Sequence, residues 1–284
     1  MPLSAVAAVV LALHLATNGR YGWFRDELYF LACGQRLAWG YVDQPPLIAL
    51  VGRIATSLFG MSLWGVRLFP ALAATGLVVL TGAFARRLGG GAFAMALAGL
   101  AAGLAPTFLV GGHLFTMNAF EPLIWTGCAW GVVSLVDAPR PRAWLALGAL
   151  LGVGLLNKYS VGFFAVCLVL GLLLSRERRA LRSPWLLASI GLCVLLVVPN
   201  ILWQRANGWP MLELLRNGQL NKNTPFDAGA FLANQVLQLN PLALPLWLLG
   251  LWFLLRREEG RRYRALGFAF LLNLALFIAM RAKA

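Results

Sequence analysis

The chain consists of long apolar blocks separated by polar connections, and its apolar and polar positions rarely alternate. Blocks such as 92–110 and 185–198 are about as long as segments that span a bilayer. We predict nine spans, at residues 2–17, 66–85, 91–110, 121–136, 143–157, 159–174, 184–203, 240–255 and 265–281. The pattern therefore predicts an all-α integral membrane protein, a single multi-span domain over residues 1–284 whose first span is a retained helix.

Two connections between the predicted spans are long, residues 18–65 and 204–239. Within the first, residues 28–37 and 46–59 mix apolar faces with isolated charges, as helices that lie in the membrane interface do. A helical stretch at 211–218 is expected in the second. Ordered segments of this kind indicate that the two long connections enclose a site.

The composition supports the membrane class and gives an orientation. Hydrophobic residues make up 60% of the chain and charged residues 12%, with a mean hydropathy of +0.76, whereas soluble domains carry about 25% charged residues. The net charge of +14 does not indicate nucleic-acid binding, because thirteen arginines lie in short connections between apolar blocks. They are Arg86, Arg87, Arg140, Arg142, Arg176, Arg178, Arg179, Arg182, Arg256, Arg257, Arg261, Arg262 and Arg264. By the positive-inside rule the short connections are cytoplasmic, and the two long ones face outward.

Common motifs of soluble enzymes are absent from the sequence. It contains no Walker A, H-E-x-x-H or G-x-S-x-G pattern. The four cysteines include no C-x-x-C pair, so neither a disulfide framework nor a thiolate metal site is indicated. Candidate chemistry must therefore come from the few ionisable residues near membrane depth, which are functional candidates by default.

Two of these candidates lie in the first long connection. Asp26 and Glu27 are adjacent carboxylates beside Arg25, an arrangement that either gives one carboxylate base character or simply begins a helix. Asp43 precedes Gln44 and two prolines, which impose an extended turn and hold the carboxylate in a defined place. A helix-capping role for this segment is the alternative.

Two further candidates lie later in the chain. Glu121 precedes Pro122, which fits the first position of a helix, so Glu121 is predicted to cap that helix with its carboxylate outward, suited to a cation or a hydroxyl. His113, in the same stretch, is alone a weak candidate. Lys158 stands between two apolar blocks, where its ammonium suits a phosphate; snorkelling to the lipid headgroups is the alternative.

Taken together, the motifs resemble those of a known family. They are Arg25–Tyr29, Ala38–Leu47, Gly112–Leu123, Gly154–Ser160, Pro199–Gln204, Gly208–Pro210 and Leu239–Leu242. The chain resembles glycosyltransferase family 39, the GT-C group that includes dolichyl-phosphate-mannose protein mannosyltransferases and the bacterial aminoarabinose transferase of lipid A. The resemblance implies a GT-C-like fold with interfacial helices in the first outer loop.

The resemblance also implies roles for individual residues. Asp26 corresponds to the proposed base on the acceptor, with Glu27 beside it, and both are expected to be catalytic. Lys158 is expected to approach the donor phosphate, together with Arg25. Related enzymes use a polyprenyl-phosphate-linked sugar as the donor, so no nucleotide cofactor is expected.

The resemblance further implies a metal site and a set of residues that line the site near the acceptor. Asp43 and Glu121 match acids that contribute to a divalent metal site in the aminoarabinose transferase. Gln44 stands where that enzyme has a lysine, which removes one phosphate contact. The residues expected to line the site near the acceptor are Tyr41, Gln44, His113 and Asn118.

The function implied is transfer of a sugar from a polyprenyl-phosphate donor, at the outer face of a bacterial inner membrane. The expected partners are this donor and membrane lipid; the acceptor is open. Family members extend further, so the chain is expected to be a fragment whose activity is incomplete. A transporter or flippase of a lipid-linked substrate is the alternative; paired broken helices and an internal repeat would favour it, and the sequence shows neither. A structural membrane subunit is the third interpretation.

Overall fold

The computed structural model describes residues 2–138, 140–221 and 226–281, with side chains up to residue 217 in the second range. The described residues form helices and connections, without strands. The helices are α1 Leu3–Thr17, α2 Arg25–Gln35, α3 Leu47–Phe59, α4 Leu63–Arg87, α5 Ala92–Gly103, α6 Pro106–Gly111, α7 Met117–Asp137, α8 Pro141–Asn157, α9 Ser160–Leu174, α10 Trp185–Ala206, α11 Pro210–Asn221, α12 Ala228–Gln238, α13 Leu244–Arg256 and α14 Arg264–Ala279. Short 3-10 helices lie at Arg176–Arg182, Pro241–Ala243 and Arg261–Tyr263. The all-α prediction is confirmed.

Four helical segments are long and apolar enough to cross a membrane: α4, α7, α10 and Arg261–Ala279. Two bent pairs raise the number to six if each is one span: α9 with Arg176–Arg182, bent by 117°, and α12 with Pro241–Arg256, bent by 90°. Shorter apolar helices such as α1, with 15 residues, cover about 22 Å of a hydrocarbon core about 30 Å thick. The protein is therefore a multi-pass membrane protein, and the count of nine spans stays a prediction.

Several predicted boundaries were wrong. The span predicted at 91–110 is divided, because α5 ends at Gly103 and Pro106 begins α6 at a position that needs no backbone N–H. Helix α7 begins at Met117, so Glu121 lies inside the helix and does not cap it. Pro122 is tolerated there because its missing N–H removes only one bond, near the start of the helix. Helix α12 in the second long connection was not predicted.

The first compact unit comprises Met1–Thr126. Helix α4 packs against α1, α3 and α5, and α2 packs against α3. One apolar cluster joins α1, α4 and α5 and is built around buried Val6, Val10 and Val78. A second joins α2, α3 and α4 to the start of α7; its buried members are Phe30, Leu31, Ile48, Ala55, Val66 and Phe115. This second cluster fixes the helices α2 and α3 of the first long connection in place.

The second compact unit comprises Gly127–Ala284. Helix α8 packs against α10, and α9 packs against α14. Small residues allow these helices to approach closely: a Cβ at Gly148 would collide with the backbone of Ser189, and one at Gly171 with the carbonyl of Ala265. Close approach at glycine is a common basis of helix association in membranes, where apolar burial between helices gives little gain.

Candidate active site

A buried ion pair links the first long connection to the start of α4. Nε of Arg67 donates to Oε1 of Glu27 at 2.9 Å, and the second contact joins Nη2 of Arg67 and Oε2 of Glu27 at 2.8 Å. Both side chains are 0% exposed. Two parallel N–H···O bonds between a guanidinium and a carboxylate form one of the stronger and more directional polar contacts in proteins. The pair therefore defines where the start of α2 lies relative to α4.

Arg67 also binds the connection between α1 and α2. Its Nη1 donates to the backbone carbonyls of Asn18 and Tyr21, and its Nη2 donates to that of Gly22, each at 2.8 Å. All five guanidinium N–H groups are thus engaged, which offsets the cost of burying a charge. One side chain consequently holds both the connection and the helix that follows it.

Glu27 accepts two further hydrogen bonds from backbone N–H groups. Phe115 donates to Oε1 and Phe24 donates to Oε2, each at 2.9 Å. Burial by itself raises the pKa of Glu27. The hydrogen bonds from Arg67, Phe115 and Phe24, together with the charge of Arg67, lower the pKa by more than burial raises it, so the net shift is downward. Glu27 is therefore an ionised, enclosed carboxylate that orders the loop and has no face open to an acceptor.

Asp26 is the neighbouring carboxylate and has the opposite environment. It lies in the first turn of α2, where the helix dipole favours a negative charge, and its side chain is 41% exposed. Nε of Arg25, itself highly exposed, contacts Oδ1 of Asp26 at 3.0 Å. The anchored Glu27 thus holds the start of the helix, while Asp26 presents a carboxylate to the surroundings.

A second carboxylate of the loop is held by a tyrosine. The hydroxyl of Tyr29 donates to Oδ1 of Asp43 at 2.6 Å. Burial, and then this bond and the charge of Asp43, raise the pKa of Tyr29, so the hydroxyl stays protonated and keeps donating. Since Tyr29 is one turn beyond Asp26 in α2, the pairing connects Asp43 to the helix that carries Asp26.

The other predicted residues of this loop serve its structure. The hydroxyl of Tyr41 donates to the carbonyls of Cys33 and Arg36, at 3.0 and 3.1 Å, and accepts from the N–H of Ala38 at 3.1 Å. The side chain of Gln44 is fully buried, and its backbone carbonyl accepts from the N–H of Tyr41 at 3.1 Å. Both residues shape the turn that presents Asp43.

The residues predicted at 113–121 lie around the start of α7. The ring of His113 stands 6.0 Å from that of His14, centroid to centroid. Burial and the charge of Arg67 lower the pKa of His113, against opposing effects of the Thr17 carbonyl and Glu27. Asn118 and Glu121 lie in the first turns of α7. His113 is therefore near the charged centre of the loop and is favoured in its neutral form.

Lys158 lies in the second unit, where α8 ends and α9 begins. Its backbone is extended, with φ −160° and ψ 133°, so the residue itself belongs to neither helix. The adjacent Tyr159 donates from its hydroxyl to Oδ1 of Asn200 at 2.8 Å, and Nε2 of Gln204 lies 3.4 Å from the same hydroxyl. These polar contacts of Tyr159 fix the turn that carries Lys158.

The predicted metal site rests on two carboxylates, those of Asp43 and Glu121. Within the part of the chain that the structure describes, no three histidine, cysteine, aspartate or glutamate side chains form a group able to hold a metal ion. A cation at Asp43 and Glu121 would therefore need further ligands of another kind, such as carbonyls or water. The two-carboxylate site stays a prediction.

Sequence reasoning missed Arg67 and Tyr29. Arg67 lies in the first turns of α4, near the beginning of a predicted span, and an arginine at that depth was itself a signal, because charges there are rare and paired. Tyr29 lies one turn after Asp26, but nothing in the sequence shows that its hydroxyl meets a carboxylate fourteen residues away.

Comparisons with known proteins agree with this architecture. The sequence model of the family described as dolichyl-phosphate-mannose-protein mannosyltransferase matches residues 43–203, more than half of the chain. The matched range includes Asp43, Arg67, Glu121 and Lys158 and begins after Asp26. The protein is thus a helical membrane protein, and the chain belongs to this family.

Individual relatives were found by sequence and by structure. The lipopolysaccharide core galacturonosyltransferase RgtA of Rhizobium johnstonii is 29% identical over 79 residues, which cover 28% of this chain and 16% of that protein. ArnT of Cupriavidus metallidurans in the apo state has a TM-score of 0.75 at 22% identity, over 99% of this chain and 55% of that one. The structure of the same ArnT bound to undecaprenyl phosphate has a TM-score of 0.74 at 20% identity, over 99% of this chain and 56% of that one. The chain thus shares the ArnT fold and spans about half the length of ArnT.

Proposed function

We propose that the protein is a membrane glycosyltransferase that moves a sugar from a polyprenyl-phosphate donor to an acceptor. The observation that carries the proposal is the paired environment of two adjacent acids: Glu27 is enclosed with Arg67, and Asp26 is accessible beside it. Family membership, similarity to a galacturonosyltransferase and likeness to an ArnT structure bound to undecaprenyl phosphate support the donor class.

In the proposed reaction Asp26 is the general base. It accepts the proton of an acceptor hydroxyl as the oxygen forms a bond to C1 of the sugar. The bond between C1 and the phosphate oxygen breaks, and the polyprenyl phosphate leaves with the electron pair. Because the donor already carries a good leaving group, no nucleotide is needed.

The role of Glu27 and Arg67 in this proposal is positioning. Each polar side-chain atom of Glu27 and Arg67 is hydrogen-bonded to the other residue or to backbone groups, so neither side chain is available to bind a substrate. The pair fixes the first turn of α2 and therefore the place of Asp26. A site held to within a fraction of an ångström by buried contacts avoids reorganisation during the reaction.

The donor phosphate is assigned to Lys158 and Arg25 by resemblance. An ammonium and a guanidinium both offset the charge that grows on the phosphate as C1 separates from it. We further propose a bacterial inner membrane location, with the two long connections facing the periplasm, because thirteen arginines lie in the short connections. Acceptor hydroxyls then reach Asp26 from outside.

The test is a transfer assay with a radiolabelled polyprenyl-phosphate sugar and membranes that contain the wild-type chain or Asp26→Asn, run beside a full-length relative. Loss of a general base lowers the rate by about 100-fold or more, with membrane insertion unchanged. Asp227→Asn is the matched control, because Asp227 caps α12 and asparagine caps equally well. Undiminished transfer by Asp26→Asn would reject the assignment, and transport of the lipid without transfer would favour a flippase.

A further inference from the structure

The connection between α9 and α10 carries the strongest local charge that the proposed reaction does not use. Four arginines and one glutamate fall within the 3-10 helix Arg176–Arg182. The arginines are Arg176, Arg178, Arg179 and Arg182, and all four are exposed. Among the described residues, no ion pair is formed by any of them. This segment is named the arginine turn below.

In another arginine-rich connection, some of the arginines form ion pairs with acidic residues of the chain. In the segment 256–264, Nη2 of Arg257 lies 3.4 Å from Oε1 of Glu259, and Nε of Arg262 lies 3.3 Å from Oδ1 of Asp137. The positive-inside rule alone therefore does not account for the arginine turn, since topology is served equally well by arginines that are paired. Its charge is presented outward.

The backbone places this charge beside the membrane. The arginine turn is bent by 117° from the direction of α9, so when α9 crosses the bilayer the turn lies near the membrane plane and does not project into water. Ser175 fixes the bend: its buried hydroxyl donates to the carbonyl of Leu172 at 2.8 Å and accepts from the N–H of Glu177 at 3.2 Å. Ser175 therefore holds the start of the arginine turn in its bent direction.

Charged and apolar surfaces meet at this point. A cavity of about 610 Å³ is lined by Leu174, Ser175, Arg176, Glu177, Arg178 and Arg179. Leu174 at the end of α9 is 63% exposed, and Leu187 in the first turn of α10 is 74% exposed. A ligand that fits such a surface has an anionic head for the arginines and an acyl chain for the leucines.

We propose that the arginine turn binds the phosphate headgroup of an anionic phospholipid in the leaflet that it adjoins. Guanidinium groups hold phosphate oxygens through paired, charge-assisted hydrogen bonds. The lipid chain lies along the exposed leucines of α9 and α10. This lipid is distinct from the polyprenyl-phosphate donor, and the proposal does not depend on the transfer reaction.

The experiment measures the thermal midpoint of the detergent-purified chain, and bound lipid by native mass spectrometry, with phosphatidylglycerol, phosphatidylcholine or inorganic phosphate added. Phosphatidylglycerol is expected to bind and to raise the midpoint, and the other two are expected to leave it unchanged. The Arg178→Gln/Arg179→Gln variant is expected to bind phosphatidylglycerol about 30-fold more weakly, since each basic residue near an anionic lipid contributes about fivefold.

The matched control is Arg86→Gln/Arg87→Gln, which removes the same charge from another adjacent pair, in the last turn of α4, and is expected to keep wild-type lipid affinity. Arg178→Lys/Arg179→Lys retains the charge and is expected to keep most of the binding, which separates lost affinity from lost folding. The proposal would be overturned if both glutamine variants lost phosphatidylglycerol affinity equally, or if the wild-type chain bound phosphatidylcholine as well as phosphatidylglycerol. An equal effect of inorganic phosphate would overturn the lipid assignment.

Discussion

Glu27 and Arg67, forty residues apart in the chain, meet in a two-point ion pair that is closed to solvent. The consequence is a division of labour between two adjacent acids: Glu27 holds the loop, and Asp26 is left accessible at the start of α2. An enclosed ion pair is weak evidence for net stability, because desolvation opposes the attraction. The loss of one partner is nevertheless severe, since the other charge remains buried.

Glu27→Gln is expected to destabilise the chain strongly. The substitution leaves the Arg67 guanidinium buried without its counter-charge, and breaking a buried pair in this way costs about 3–5 kcal/mol. Chemical denaturation in detergent, followed by circular dichroism, measures the change. Arg25→Gln is the control, because the contact of Arg25 with Asp26 is exposed, and exposed pairs contribute about 0–1 kcal/mol. Equal stability of the two variants would contradict the structural role of the pair.

Stability is expected to fall at acid pH through the same carboxylate. The pKa of Glu27 is lower in the folded chain than its ordinary value, so the unfolded chain binds a proton at higher pH than the folded chain does. The stabilisation is therefore complete above the ordinary carboxyl range and is lost as the pH falls from about 4.3 through the folded pKa. Denaturation midpoints between pH 3 and pH 7 measure this loss, and the slope in Glu27→Gln is expected to be smaller. Parallel profiles for the two proteins would exclude Glu27 as the titrating group.

The periodic parts of the fold were predictable from the sequence. Long apolar blocks predicted α4 and α10 to within a few residues, because burial in lipid requires nothing more specific than length and hydropathy. Amphipathic patterns likewise predicted α3 in the first long connection. The start of α7 was missed, since proline favours the first position of a helix but is also tolerated within its first turns.

The candidate site was predictable only in part. Adjacent acids identified the place of Asp26 and Glu27, but their different environments depend on Arg67, which lies in another helix. The contact between Tyr29 and Asp43 likewise joins two residues that are separated in the sequence. Such long-range pairs are determined by how α2, α3 and α4 pack, and a single sequence does not contain that information in its local pattern.

Tyr29→Phe tests whether the position of Asp43 matters for transfer. The variant removes the hydroxyl that donates to Oδ1 of Asp43 at 2.6 Å and keeps the ring. The free energy of unfolding is expected to fall by about 1 kcal/mol, and the transfer rate by about tenfold because Asp43 loses its fixed orientation. Tyr21→Phe is the control, since Tyr21 meets Arg67 through its carbonyl and its ring, which the substitution retains. Equal transfer rates in both variants would show that Asp43 needs no positioning.

Gly171→Ala tests the close approach of α9 and α14. A Cβ at position 171 would collide with the backbone carbonyl of Ala265, so the two helices must separate, and overpacking of this kind costs about 1–3 kcal/mol. Gly191→Ala in α10 is the matched control, because a Cβ there meets nothing within 4 Å and alanine is the better helix former. Thermal midpoints in detergent are expected to fall for Gly171→Ala and to stay level or rise for Gly191→Ala. A midpoint for Gly171→Ala at or above the wild-type value would show that backbone contact at Gly171 does not limit how these helices pack.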